Sequence, residues 1–126
     1  MNNRINRLQH VARAICTILV FQAFGLAAQG IWEGGDPING QSLFNANCAA
    51  CHKITNEMLV GPGLEGLQDR WPSGDKMLVQ WIQSPQEAAE SGDKYIKSMV
   101  DRYVGTYGWM TGQAVSEADI SDILAY

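Results

Sequence analysis

Sulfur and imidazole side chains are scarce in this sequence. Its 126 residues include three cysteines and two histidines, and three of these side chains fall in one short stretch, Cys48-Ala49-Ala50-Cys51-His52. The others, His10 and Cys16, lie in an N-terminal segment that we expect to be removed. A structural zinc site takes four ligands of these types, so the chain has too few candidates for one.

The sequence also lacks a βαβ pattern, being rich in glycine and poor in strand-like segments. A dithiol redox pair of the thioredoxin type is expected beside such a pattern, so that role for the Cys-x-x-Cys pair is disfavoured. No internal repeat, low-complexity tract or second motif of this kind is present. With 46% hydrophobic and 17% charged residues, the chain has the composition of one globular domain at most.

Acidic residues are absent before Glu33, whereas three arginines precede an apolar run at 14–28. A basic start, an apolar run and small residues at its end are typical of an export signal, so we predict that residues 1–28 are one, cleaved after Ala27 or Ala28. The alternative is a retained membrane anchor, since residues 14–32 reach 19 positions, near the ~20 that span a bilayer. Two glutamines interrupt that stretch and favour cleavage.

Basic charge is scarce in the remaining chain. Cleavage removes three of nine basic residues and none of 13 acidic ones, which leaves a formal charge of −7. A nucleic-acid partner is therefore disfavoured. Residues 29–35 are predicted to be a flexible linker, and residues 36–126 the domain.

The motif Cys-x-x-Cys-His predicts a haem that is held covalently. Cys48 and Cys51 are three positions apart, so on one turn of helix both sulfurs face the same way. They can form thioethers to the two vinyl groups of one porphyrin, and His52 would then lie under the iron. We predict one covalent haem c.

Helix signals surround the motif. Asp36 as N-cap and Pro37 at the first position predict a helix that runs to about Ala50, in which Gly40 is best explained by close approach of another helix. A second helix is predicted from about Ser73–Asp75 until Pro85 stops it. Trp81 on its apolar face is predicted to form part of the haem wall.

Two further helices are predicted beyond Pro85. One begins at Asp93 and ends by Gly105. The other begins after Ser116, whose hydroxyl would cap it, with Val115 and Ile120 as a hydrophobic staple.

The turn-rich stretch at 61–66 must lie close to another group. A metal-bound imidazole usually donates its second N–H to a carbonyl or carboxylate. We predict that the carbonyl of Pro62 accepts this hydrogen bond from His52.

Together, residues 36–126 resemble the class I monohaem cytochromes c of the small bacterial type, including cytochrome c domains of respiratory complexes. The resemblance rests on Gly40, Phe44, Cys48, Cys51, His52, Gly61-Pro62-Gly63, a loop methionine and a closing helix that ends Ile123-Leu124-Ala125-Tyr126. It implies an all-α cytochrome c fold, with three to five short helices around one haem. It also implies that the first and last helices cross, with Ile123 and Tyr126 on Gly40 and Phe44. Residues 87–108 form a longer segment than in the smallest members.

The sixth position of the iron is either open or filled by a methionine. Five methionines are present, of which Met1 is excluded. Met77 and Met99 fall within apolar helix stripes, where methionine is more often a core residue, and Met58 is too close behind His52. Met110 remains, in a loop ahead of the last helix, where the resembling family carries its ligand. His52 and Met110 are the predicted axial ligands.

These observations predict an exported electron carrier, not an enzyme, that is periplasmic and either soluble or membrane-associated. Its expected partners are a membrane reductase and a terminal oxidase or other redox protein of a respiratory chain. One alternative is a haem-bearing subunit docked permanently in a membrane quinol-oxidising complex or terminal oxidase. Another is a haem enzyme or gas sensor with an open sixth position, which an iron-bound methionine would exclude.

Overall fold

The computed structural model describes residues 30–126, so the predicted export signal and Gln29 lie outside the described part. This part is helical and contains no strand, which confirms the all-α class. Its helices are α1 Pro37–Asn47, α2 Leu67–Arg70, α3 Asp75–Gln83, α4 Pro85–Glu90, α5 Lys94–Met99, α6 Gly105–Tyr107 and α7 Glu117–Ala125, with a π-helical turn at Val100–Val104 between α5 and α6. Five of the seven helices have six residues or more, and the short helices α2 and α6 come in addition to the three to five that were predicted.

The start of α1 follows from its N-cap residue, Asp36. The Asp36 side chain accepts hydrogen bonds from the N–H groups of Ile38 and Asn39, which otherwise have no partner in a first turn. The helix ends at Asn47, three residues earlier than predicted, because Cys48 leaves the helical region with φ −122°. The haem motif therefore lies in the turns that follow the helix, and not inside it.

The last helix, α7, begins as predicted. The Ser116 hydroxyl accepts from the Asp119 N–H, and the Asp119 carboxylate accepts from the Ser116 N–H, so two terminal donors are satisfied reciprocally. Val115 and Ile120, the predicted staple, are both buried.

Helices α1 and α7 cross in close contact. A Cβ atom on Gly40 would overlap the carbonyl oxygen of Asp122, so the two backbones can touch only because Gly40 has no side chain. Beside this point the rings of Phe44 and Tyr126 pack with their centroids 5.9 Å apart. Asn39 Nδ2 also donates to the Asp122 carboxylate at 2.7 Å. The crossing predicted from the family resemblance is confirmed.

The predicted linker differs from the structure over residues 30–35. Ile31 is only 4% exposed and belongs to the hydrophobic core. Asp75 fixes this stretch, because its carboxylate accepts from Trp32 Nε1 at 2.7 Å and from the Ile31 N–H at 3.4 Å. The reason is that the apolar side chains of Ile31 and Trp32 pack against the domain. These two residues therefore belong to the domain and not to a flexible linker.

The helix predicted to begin at Asp93 was expected to end by Gly105, and this end is wrong. Gly105 has an ordinary helical φ of −63°, and the chain continues through the π-helical turn and α6 to Tyr107. Gly108 ends this run, with φ +80°, a conformation that glycine adopts without steric cost. The start at Asp93 and the end of α3 ahead of Pro85 are as predicted.

The core lies between the helices and gathers residues from most of them. Its buried members are Ile31, Trp71, Leu78, Ala88, Ile96, Val115 and Ile120. Trp71 packs edge-on against Tyr95 at 5.2 Å between ring centroids. Among residues 30–126, no helix has both the length and the apolar character needed to cross a bilayer.

Replacement of Gly40 by alanine should destabilise the fold. The new methyl group would overlap the Asp122 carbonyl, and overpacking of this kind costs about 1 to 3 kcal/mol. Urea unfolding followed by circular dichroism measures the change. The matched control is Gly105→Ala, because no atom lies within 4 Å of its added methyl group. Equal midpoints for Gly40→Ala and the unsubstituted protein would contradict the close crossing.

Candidate functional site

A cavity of about 290 Å³ lies beside the Cys-x-x-Cys-His motif. Its lining is predominantly apolar and aromatic, and none of the described residues that line it is Asp, Glu, Lys or Arg. The motif supplies one part of the wall, α3 another and the chain from Met99 to Met110 a third, and α7 contributes Ile120, Ile123 and Leu124. The cavity suits a large apolar ligand.

Tight turns after α1 bring the motif side chains to this cavity. The N–H groups of Cys51 and His52 both donate to the Cys48 carbonyl, at 3.0 and 2.9 Å. All three side chains line the cavity, and no disulfide joins the two cysteines. Burial raises the pKa of the Cys48 thiol above its ordinary value, because desolvation disfavours the thiolate.

The His52 imidazole is held by the turn that follows it. Its Nδ1 atom lies 2.8 Å from the Pro62 carbonyl oxygen, which can only accept, so Nδ1 carries the proton. The other nitrogen, Nε2, is then free to ligate a metal. The hydrogen bond joins the two groups that the sequence paired, while the roles of His52 as ligand and Pro62 as its support remain predictions.

Close packing of the turn against the His52 ring requires glycine at position 61. A Cβ atom there would overlap the His52 ring, so the turn can approach the imidazole only without a side chain. The Gly61 N–H donates to the Cys51 carbonyl at 2.8 Å. The backbone of the turn is therefore attached directly to the motif.

Arg70 fixes the other end of this turn. Its Nη2 atom donates to the carbonyl oxygens of Gly63 and Glu65, at 2.9 and 2.8 Å. Arg70 is not among the cavity-lining residues. Its role depends on where the turn lies in space, so no local pattern could have shown it.

Two methionines line the cavity. Met110, the predicted ligand, is one, and Met99 at the end of α5 is the other. Met77 packs against the core and Met58 is 43% exposed, and neither lines the cavity. Of the methionines considered as a sixth iron ligand, the structure therefore places two, Met99 and Met110, at the cavity.

Three tryptophans also line the cavity. Trp81 is half-buried and lies in the wall where it was predicted. Trp71, which the sequence analysis missed, is a buried wall residue whose Nε1 donates to the Gly74 carbonyl at 3.0 Å. Its position next to a single-turn helix gave no periodic signal. Trp109 is exposed at the edge of the cavity.

The donor set fits a haem c. Two thiols and an oriented imidazole lie on an apolar cavity that also receives thioethers, which matches covalent attachment and axial ligation of one porphyrin. Within residues 30–126, no three His, Cys, Asp or Glu side chains are grouped as a metal-ion site would require. An all-α fold with this motif on such a cavity defines a c-type haem protein.

Comparison with known proteins agrees with this class. Residues 38–126 match the family model for cytochrome c. A solved cytochrome c from Rhodothermus marinus is 30% identical, with a TM-score of 0.57 over 71% of this chain and 72% of that one. A cytochrome c-553-like protein from Synechocystis sp. is 44% identical over 36 residues, which cover 29% of this chain and 34% of that protein. The matched stretch thus spans about a third of this relative.

The chain belongs to the cytochrome c family. Proteins of this family bind haem c covalently and transfer electrons through it. Here Cys48 and Cys51 are the residues that would form the thioethers, and His52 Nε2 is the nitrogen that the Pro62 contact leaves for the iron.

Replacement of Gly61 by alanine should leave haem attachment intact but raise the reduction potential. The methyl group would push the imidazole away from the Pro62 carbonyl. Without this hydrogen bond the imidazole is a weaker electron donor and stabilises ferric iron less. Spectroelectrochemical titration measures the potential, and Gly105→Ala is the control. An unchanged potential would mean that the contact does not tune the iron.

Proposed function

We propose that this protein carries single electrons through one covalent haem whose iron is ligated by His52 and Met110. The observation that supports it most is that the oriented His52 ring and a loop methionine line the same apolar cavity. Histidine and methionine fill both axial positions, so the iron passes electrons with little rearrangement and at a raised potential. On this proposal the protein is not an enzyme.

Electrons would enter and leave where the cavity meets the surface. Val60, Tyr107 and Trp109 line the cavity and are also 46%, 47% and 42% exposed. We expect Ala49 and Ala50 of the motif, which are half-buried and exposed respectively, to belong to the same docking face. Apolar side chains at this opening would let a second redox centre approach closely, in the small, transient contact typical of electron transfer.

We further propose that the protein is exported to the periplasm and serves a respiratory chain, between a membrane reductase and a terminal oxidase or other redox protein. The order of basic, apolar and small residues in positions 1–28 supports export. The formal charge of −7 without these residues supports partners with basic docking surfaces.

A second candidate is a haem subunit docked permanently in a membrane quinol-oxidising complex or terminal oxidase. Ile54, Met58, Leu59 and Val60 favour it, because these four large apolar side chains within seven residues are each 43% to 50% exposed. Such a patch often marks a protein interface. Purification from native membranes would decide: a docked subunit co-purifies with a complex, whereas a carrier is released alone.

An open-site haem enzyme or gas sensor is less favoured, because two thioethers line the cavity.

Replacement of Met110 by alanine should leave the haem covalently attached but abolish the ferric thioether charge-transfer band in the far red. The reason is that the iron loses its sulfur ligand while both cysteines remain. Visible spectroscopy of the purified ferric protein measures the band. The matched control is Met99→Ala. This variant removes the other thioether that lines the cavity and should keep the far-red band. Loss of the band in Met99→Ala alone would transfer the ligand role to Met99.

Electron transfer to the physiological acceptor should slow as salt is added. A domain at formal −7 is steered towards basic surfaces, and the screening length shrinks from ~30 to ~8 Å between ~0.01 and ~0.15 M ionic strength. Stopped-flow measurement of the second-order rate tests this. A flat or rising rate would contradict charge steering and favour the docked subunit.

A further inference from the structure

The loop that carries Met110 is fastened at both of its ends. On the upstream side, the Gly108 N–H donates to the Val104 carbonyl at 2.9 Å. On the downstream side, the Gln113 N–H donates to the Ile82 carbonyl at 2.9 Å. Residues 109–112 are therefore a short span between two anchored points, and Met110 lies within it.

The downstream anchor is the C-terminal end of α3. Ile82 is the residue before the last one of α3, and the last four carbonyls of a helix have no partner within it. The Ile82 carbonyl is thus available for the loop. Gln83 adds a second contact, because its Nε2 atom donates to the Val115 carbonyl at 2.7 Å.

Gly112 makes the approach possible. A Cβ atom on Gly112 would overlap the Gln83 carbonyl oxygen, and Pro85 Cδ would lie 3.5 Å from it. Nothing in its backbone conformation demands glycine, since its φ is not in the left-handed region. The requirement is close contact between this loop and the end of α3.

We propose that Gln83 and Gly112 are positioning residues for the sixth iron ligand, because they attach the Met110 loop to the end of α3. This rests on the proposed ligation by Met110. Ile82 and Trp81 of the same helix line the cavity, so the attachment fixes the loop against a wall of the haem site. Loss of the attachment would let the loop open and the thioether leave the iron more often.

The first test replaces Gln83 by alanine in the haem-loaded, full-length protein and measures how fast imidazole binds the ferric iron. Imidazole can enter only when the thioether has left. Loss of one neutral hydrogen bond should raise the rate about fivefold, with the far-red band retained. The matched control is Gln80→Ala, one turn earlier on α3, whose side chain forms no hydrogen bond within residues 30–126; its rate should equal that of the unsubstituted protein.

A rate in Gln83→Ala no faster than that of Gln80→Ala would overturn the proposal. Urea unfolding of each variant accompanies the measurement, because a purely structural role would lower the midpoint without a faster imidazole reaction, and that result also counts against it. Failure of the underlying ligation is recognised separately, since the far-red band would then either persist in Met110→Ala or be absent from the unsubstituted protein.

The second test uses Gly112→Ala, which should weaken the far-red band and speed imidazole binding further, because the methyl group forces the loop away from the Gln83 carbonyl. Gly105→Ala is its control, since its methyl group meets no atom within 4 Å. An unchanged band and an unchanged rate in Gly112→Ala would contradict the proposal. If Gly112→Ala does not fold, Gln83→Ala still decides the question.

Discussion

The backbone contact between α1 and α7 at Gly40 is the constraint on which the rest of the structure depends. It holds α1, after which the haem motif follows, against the helix that carries Ile120, Ile123 and Leu124 in the cavity wall. Asp122 strengthens the contact from α7, because its carboxylate accepts from the Asp36 N–H and from Asn39. The two ends of the domain are thereby joined, and the intervening chain closes around the cavity.

Within that frame, backbone groups do most of the positioning at the site. The Pro62 carbonyl orients the imidazole, Gly61 lets the turn reach it, and the carbonyl of Ile82 holds the Met110 loop. Side chains such as Arg70 and Gln83 act on these backbone segments and not on the cavity directly. With the proposed ligation by His52 and Met110, an axial pair held in this way would need little rearrangement when an electron arrives.

Features set by neighbouring residues could be predicted from the sequence. The caps at Asp36 and Ser116, the stop at Pro85 and the cysteine motif each depend on short-range chemistry, whereas the helix crossing at Gly40 was predicted from the family resemblance. Features set by contacts between distant residues could not. The attachment of Ile31 and Trp32 to Asp75 spans more than forty positions, and the contacts of Trp71 and Gln83 depend on the final packing. The continuation past Gly105 was missed because a glycine can adopt helical as well as helix-ending conformations.

The most direct test of this account is X-ray absorption at the iron edge of the purified ferric protein. We predict a first coordination shell of porphyrin and imidazole nitrogens with one sulfur scatterer, and its loss in the Met110→Ala variant. A shell without sulfur in the unsubstituted protein, whether the sixth position is open or holds nitrogen or oxygen, would contradict the proposal that this is a His/Met electron carrier.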